Sequence, residues 1–275
     1  MMPLASRRIC SLLICFVVII GVFIVDEVAV AAHVHTAFLS GWVLFAMIVV
    51  LAAYGLRKSN LFLRVSSRYI GTSSGWLQVH IYLGLCTAFV FGIHTRFRIP
   101  DGVVETTLAS LYVATFSSGV IGLLMTRWFP KRLANRREEV IFERIAGYRH
   151  RLNQEVIDIV REDSTHSQES AFLDLYTDLL QNFFEKPRNL LWHLVDSQRP
   201  VALLCNRVGE YRSYLSEEES PRLNRILELI RVKNELDNHY TLQGALKLWL
   251  FIHIPLAWGL VVLAVFHALL VLAFT

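Results

Sequence analysis

The sequence predicts an all-α membrane protein with five transmembrane helices and a helical soluble insertion. Three observations lead to this fold class. Of the 275 residues, 54% are hydrophobic and the mean hydropathy is +0.45, which is too apolar for an ordinary soluble protein of this length. Several apolar runs approach 20 residues, about the length of a helix that crosses the hydrocarbon core of a bilayer. Alternating strand patterns and glycine-rich nucleotide-binding motifs are both absent from the sequence.

The first predicted span covers residues 9–25, an unbroken apolar run that follows two arginines. The small-residue sequence at 29–31 resembles a signal-peptidase site, so a cleaved signal peptide is the alternative. The apolar run is longer than the usual signal-peptide core, which favours an uncleaved first helix with its N-terminus in the cytoplasm. With either interpretation the chain reaches the outer side by Asp26.

The second, third and fourth spans are predicted at residues 36–56, 76–93 and 107–128. Basic residues cluster after the second span and after the fourth, in the segments 57–68 and 127–137. Under the positive-inside rule these two clusters face the cytoplasm. We therefore interpret them as flanks of membrane helices and not as contacts to nucleic acid.

A soluble insertion on the cytoplasmic side is predicted at residues 131–246. Apolar residues recur there with a helical period in four segments, which are 138–162, 170–185, 201–215 and 221–240. The fifth span, residues 248–274, then leaves the cytoplasm and places the C-terminus outside. The predicted domains are the first four transmembrane helices at 1–130, the insertion at 131–246 and the fifth transmembrane helix at 247–275.

Four histidines lie in the third and fifth spans, and they are the most informative residues in the chain. His80 and His94 are fourteen positions apart, and His253 and His267 repeat this spacing. On a helix, fourteen residues return a side chain to within ~40° of the same face and separate the two levels by ~21 Å. Each helix therefore carries one histidine toward each side of the membrane.

The third and fifth spans run in the same direction, from the inner side to the outer side. His80 and His253 are therefore expected at the inner level, and His94 and His267 at the outer level. Two facing imidazoles at each level are the arrangement that holds a haem by both axial positions. Interhelical hydrogen bonding or a proton path is the alternative role of buried histidines in a span.

Glycines on the second span support the same interpretation. Gly41 and Gly55 are again fourteen positions apart. Glycines stacked on one helix face allow a flat ligand or a neighbouring backbone to approach closely. We therefore include both among the candidate cofactor-binding residues.

Charged residues near the membrane surfaces supply candidates for the haem propionates. The candidates are Arg96 and Arg98 at the outer level, with Arg68 or Lys247 at the inner level. An equally simple role for each of these cations is that of an interfacial anchor. Asp101 and Glu105 lie on the outer side, where quinol oxidation would need a proton acceptor.

The cysteine pattern restricts the kind of redox centre. The four cysteines form no CxxC pair and no CxxCH sequence. Zinc, iron–sulfur clusters and covalently attached haem therefore have no visible ligand set in the sequence. Any haem in this chain is expected to be bound without a covalent link.

The two histidine pairs, with Gly41 and Gly55 on a preceding helix, resemble the di-haem four-helix bundle of membrane b-type cytochromes. The cytochrome b of quinol-oxidising bc complexes is the best-known example. The resemblance implies two b haems, an inner one held by His80 and His253 and an outer one held by His94 and His267. The absence of a Pro-Glu-Trp-Tyr motif and the presence of the insertion favour a smaller anchor subunit of this type.

The resemblance also implies a function and its partners. Such a subunit transfers electrons between quinone and a partner redox subunit, either a c-type cytochrome or an iron–sulfur protein, in a complex of the bacterial inner membrane. One alternative is a ferric or oxygen reductase similar to the NADPH-oxidase core, with its flavin domain on another chain. The other is a haem-free transporter or scaffold with a histidine proton relay.

Overall fold

A computed structural model describes eight stretches of the chain. These are residues 16–17, 20–24, 27–28, 36–56, 73–134, 141–164, 171–217 and 219–274. Within these stretches the secondary structure is helical and contains no strand. The predicted all-α class is therefore confirmed for the described residues.

The described chain contains nine α-helices. They are α1 (Thr36–Leu56), α2 (Ser73–Thr95), α3 (Val103–Ala134), α4 (Phe142–Ser164), α5 (Ala171–Leu175), α6 (Gln181–Glu185), α7 (Leu190–Leu194), α8 (Arg199–Glu210) and α9 (Ser220–Phe274). A π-helical turn, Tyr176–Leu180, joins α5 to α6, and a 3-10 turn, Tyr211–Tyr214, follows α8. Residues 1–124 and 249–275 form one compact unit, and residues 125–248 form a second.

Four of these helices, α1, α2, α3 and α9, are long and apolar enough to cross a membrane. They correspond to the second, third, fourth and fifth predicted spans. Most of the first predicted span lies outside the described residues. Within this span, residues 20–24 are described and are helical. The chain is therefore a membrane-embedded helical protein, and the first span stays a prediction.

In the first unit, α1 packs directly against α2, and both contribute to one apolar core. Leu44 of α1 and Val90 of α2 are buried in this core, and Leu260 brings α9 into it. Tyr112 connects α3 to α2, because its ring stacks on Phe91 at a centroid distance of 4.2 Å. These contacts fix the rotation of each helix and hence the direction of its polar side chains.

The second unit has a separate hydrophobic core. Val156 of α4, Phe172 of α5, Phe184 of α6 and Ile230 of α9 are all almost completely buried in it. Burying one side chain of this size stabilises the folded state by about 1.5–3 kcal/mol. Amphipathic helices that each bury one apolar stripe therefore account for the compactness of this unit.

A buried ion pair on α9 lies at the edge of this core. Lys233 and Asp237 are 0% and 1% exposed, and Lys233 Nζ lies 2.5 Å from Asp237 Oδ2. Lys233 also donates to the carbonyl of Lys186 at 2.8 Å, and the Arg188 amide donates to Asp237 at 3.0 Å. Burial lowers the pKa of the Lys233 ammonium and raises the pKa of the Asp237 carboxyl, and their mutual attraction opposes both shifts.

The boundaries of several helices differ from the predicted ones. The predicted helix 221–240 and the predicted span 248–274 form one continuous helix, α9. The connecting sequence 241–247 contains no proline and consists mostly of residues with high helix propensity, so nothing in it ends a helix. The predicted helix 170–185 is interrupted by the π-helical turn, and α7 was not predicted.

Candidate functional site

A cavity of about 760 Å³ lies among the four membrane helices of the first unit. His94 of α2 and His267 of α9 both line it, with Gly41 of α1 and Tyr112 of α3. Its volume is within the range of about 300–1,000 Å³ that is usual for bound small molecules and cofactors. The two histidines that were predicted to form the outer pair therefore share one cavity wall.

The rest of the cavity lining combines aromatic side chains with a few charged ones. Phe38, Trp42 and Phe45 supply aromatic surface from α1. Arg98 and Asp101 line the cavity from the segment between α2 and α3. An apolar, aromatic chamber with a small number of polar groups is the usual composition of a cofactor site.

His94 is held by two consecutive residues of α1. A Cβ atom at Gly41 would lie 3.0 Å from Cε1 of the His94 ring, so the ring occupies the space that glycine leaves open. Ser40, the preceding residue, places its Oγ 3.3 Å from Nδ1 of the same ring. One residue thus provides room for the imidazole, and the other provides a hydrogen-bonding group for it.

His253 has an equivalent environment on α3. A Cβ atom at Gly119 would lie 3.6 Å from Cε1 of the His253 ring, and Ser118 Oγ lies 3.3 Å from its Nδ1. Trp249 stacks on the His253 ring at a centroid distance of 5.3 Å, and its Nε1 donates to the carbonyl of Ser118 at 2.8 Å. A serine–glycine pair therefore contacts one histidine of each predicted pair.

The inner histidines also approach one another. His80 lies near enough to His253 for the two rings to interact electrostatically. The ring of Tyr54 lies 4.9 Å from the His80 ring, and the backbone of Leu51 is beside it. Nδ1 of His80 is buried and makes no hydrogen bond.

His267 resembles His80 in the environment of its ring nitrogen Nδ1. Its Nδ1 is buried and makes no hydrogen bond, although Oε1 of Glu105 lies 4.0 Å away. A buried polar atom without a partner costs about 1–3 kcal/mol, so such atoms are rare outside functional sites. Each predicted pair thus contains one imidazole held by a serine and one whose Nδ1 has no hydrogen bond.

The other predicted cofactor residues have different environments. Gly55 has no atom within 4 Å of the position of a Cβ, so it contacts no neighbouring helix there, unlike Gly41. Arg98 lines the cavity, whereas Arg96 is exposed in the turn after α2 with a positive φ of 53°. Arg68 lies outside the described residues.

Lys247 is engaged within the second unit. Its Nζ donates to Oε1 of Glu143 at 2.6 Å and lies 4.0 Å from the centre of the Phe142 ring. The hydrogen bond from Lys247 lowers the pKa of the Glu143 carboxyl. The structure therefore provides Lys247 with a protein partner of its own.

Sequence reasoning missed Ser40, Ser118 and Gly119. The signal that identifies them is a Ser-Gly dipeptide that recurs at 40–41 in the second span and at 118–119 in the fourth. The sequence also gives no reason to pair Glu105 with His267, because the two residues belong to helices far apart in the chain.

The donor set suits a flat group that binds an imidazole on each of its two faces. Among the described residues, no group of three or more His, Cys, Asp or Glu forms a site for a bare metal ion. A bis-imidazole site needs only two such ligands. No family model, curated protein or solved structure matches the chain, so its function is inferred from the geometry of its own residues.

Proposed function

We propose that the chain is a di-haem b-type cytochrome subunit that carries electrons across a membrane. The observation that carries this proposal is the shared cavity of His94 and His267, which come from separate membrane helices. His80 and His253 both lie in the first unit and are near enough for their charges to interact, which is consistent with a second pair. Both pairs had been predicted from spacing alone.

The residues present fit two b haems. Nδ1 of His80 and of His267 lacks a hydrogen bond, and the His94 ring occupies the space that Gly41 leaves open on α1. His80 and His253 would bind the inner haem, and His94 and His267 the outer one. A haem with two imidazole ligands exchanges single electrons and has no open position for oxygen.

The role of the protein is to hold and orient the ligands. Ser40 and Ser118 each engage Nδ1 of one imidazole, which leaves Nε2 of that ring for iron. The fourteen-residue spacing on α2 and on α9 sets the two levels ~21 Å apart along the helix axes. Two centres at different depths let an electron cross the bilayer in shorter steps.

The charge distribution supports an orientation in the membrane, and the proposed partners follow from the proposed electron transfer. Basic residues after α1 and in the last part of α3 favour a cytoplasmic position for those ends, with the N-terminus inside and the C-terminus outside. Five spans in a bacterial inner membrane fit this topology. Arg98, Asp101 and Glu105 supply polar groups at the edge of the outer cavity, and a quinone headgroup would bind beside them, next to the outer haem. A c-type cytochrome or an iron–sulfur protein would be the redox partner.

Haem content tests the proposal directly. A pyridine-haemochrome assay on the purified full-length chain is expected to give two b haems per chain. His80→Ala and His94→Ala are each expected to lower the value to about one, because each removes one axial ligand from a different level. His150→Ala, an exposed histidine of α4, is the matched control and is expected to keep both haems.

Two results would contradict the proposal. One is wild-type protein without the absorption of a reduced b-type haem after expression with sufficient haem supply. The other is a normal haem content in both His80→Ala and His94→Ala.

A further inference from the structure

We propose that α7 and the residue after it form an anchor in the lipid headgroup region of the membrane. The α7 patch consists of Leu191, Trp192 and Val195, which are 77%, 47% and 71% exposed. This inference concerns the second unit, and it depends on the membrane-spanning character of α3 but not on haem. The binding partner of the patch is the surface of a lipid bilayer.

The patch is a fixed feature of the fold. His193, in the middle of α7, is only 2% exposed and points into the second unit, so the neighbouring side chains point away from it. Leu191 and Val195 are four residues apart and therefore lie on the same side of this helical turn. Large apolar side chains exposed together usually mark a surface that contacts a partner or a membrane.

Arg132 of α3 holds α7 in place. Its guanidinium donates to the carbonyls of His193 and Leu194 at 2.5 and 2.9 Å, and it pairs with Asp196 at 2.8 Å. The Arg132 side chain is 19% exposed, so solvent screens these contacts only partly. The turn that carries the patch is thus attached to the last part of α3.

The position of Arg132 along α3 determines how far α7 lies from the membrane–water interface. The apolar run of α3 ends near Trp128 and Phe129, and basic residues occur from Arg127 onward. Tryptophan next to basic residues is typical of a membrane–water interface. Arg132 follows Trp128 by four residues, which is only ~6 Å along the helix axis. α7 and this end of α3 belong to the same unit, and the contacts of Arg132 keep α7 next to the interfacial residues of α3.

The charges around the patch favour the same occupant. Lys186, Arg188 and Arg199 flank α7 and are exposed. Asp196 is the one acidic residue between 186 and 199, and it is paired with Arg132. A basic segment with exposed leucine and tryptophan is attracted to anionic lipid headgroups and inserts its apolar side chains beneath them.

Spin-label accessibility tests the proposal on the full-length chain. The four native cysteines are replaced by alanine, and a nitroxide is attached at Leu191→Cys or, as a matched control, at Tyr214→Cys. Tyr214 is 79% exposed in the same unit, in the 3-10 turn after α8. The protein is reconstituted in vesicles of phosphatidylcholine and phosphatidylglycerol in equal parts. Collision rates are measured with oxygen, which concentrates in lipid, and with a nickel chelate, which stays in water.

The label at Leu191 is expected to show an oxygen-to-nickel collision ratio on the order of tenfold higher than the label at Tyr214. A label at Val195→Cys is expected to behave like the one at Leu191 and provides a second readout if Leu191→Cys does not fold. Equal ratios at the three positions would overturn the proposal. Protection of Leu191 from both reagents would also overturn it, because it would assign the patch to a protein partner. None of these measurements depends on haem content.

Discussion

Two serines contact imidazoles at different levels of the membrane unit. Ser40 lies beside His94, and Ser118 lies beside His253, in each case with Oγ 3.3 Å from Nδ1. A hydrogen bond at Nδ1 fixes the orientation and tautomer of a ligating histidine and increases its basicity. The proposed haem ligands are therefore not equivalent, because His80 and His267 lack such a serine.

Replacing Ser118 should affect the inner site selectively. Ser118→Ala is expected to weaken haem binding at the level of His253 by about 10- to 100-fold, the usual effect of removing a hydrogen-bonding partner of a metal ligand. The measurement is a haem titration of apoprotein, followed by absorption spectroscopy. Ser117→Ala, at the exposed neighbouring position, is the control and should leave binding unchanged. Equal effects of the two substitutions would disprove the positioning role of Ser118.

The two glycines of α1 should respond differently to a methyl group. Gly41→Ala is expected to displace the His94 ring, because the new Cβ would lie 3.0 Å from Cε1. The outer haem should then be lost or weakened while the inner one is kept, as measured by haem content and redox titration.

Gly55→Ala serves as the matched control for this experiment. Nothing lies within 4 Å of its Cβ position, and alanine stabilises a helix by about 0.5–1 kcal/mol relative to glycine. Gly55→Ala should therefore keep both haems and unfold at an equal or slightly higher temperature. A haem loss as large as that of Gly41→Ala would mean that the spacing of the two glycines matters more than their contacts.

At the scale of the helix, the buried pair on α9 couples two side chains of the second unit. Lys233→Met is expected to destabilise the protein by about 3–5 kcal/mol, because Asp237 keeps a buried charge without its ammonium partner. Asp237→Leu should have a similar cost. The double variant should be destabilised by less than the sum of the two single variants, because each single substitution already removes the whole Lys233–Asp237 interaction. Unfolding of the full-length chain in detergent, followed by circular dichroism, measures all three, and additive costs would contradict direct coupling.

The pH dependence of Lys233→Met provides a further check on this pair. Burial raises the pKa of Asp237, and without Lys233 the main opposing attraction is gone. A carboxyl with a raised pKa in the folded state favours folding when protonated, so stability is lost as the pH rises through that pKa. The free energy of unfolding of Lys233→Met should therefore fall with rising pH more steeply than that of the wild type. Parallel pH profiles would contradict this expectation, because they would show that the loss of Lys233 leaves the protonation of Asp237 unchanged.

The positions of the helices could be predicted from the sequence better than the contacts between them. Apolar length and helical period locate α1 to α4 and the membrane part of α9, because both signals are local. The five-residue helix α7 has too few residues to show a period, and the continuity of α9 depends on the absence of a break at 241–247. The histidines were found because their spacing belongs to one helix. Ser40 and Ser118 were missed because their contacts depend on which helices are neighbours and on the rotation of each.

At the scale of the whole molecule, the predicted topology can be tested with reporter fusions. Alkaline phosphatase fused after Thr275 should be active, because it folds only outside the cytoplasm and the proposed topology has the C-terminus outside. The same enzyme fused after Glu217 should be inactive, while a green fluorescent protein at that site should be fluorescent. The reverse pattern at the two sites would contradict the orientation and would exchange the inner and outer histidine pairs.

Helix α9 supplies one imidazole to each of the two predicted pairs, and it leaves the ribosome after α1, α2 and α3. Until it is inserted, α2 can offer only a single ring at each level, with His94 already seated against α1. Neither site can therefore be completed during the synthesis of the first four helices. The proposed haem binding would therefore be a late event in biogenesis, and a nascent chain arrested before α9 should be unable to retain haem.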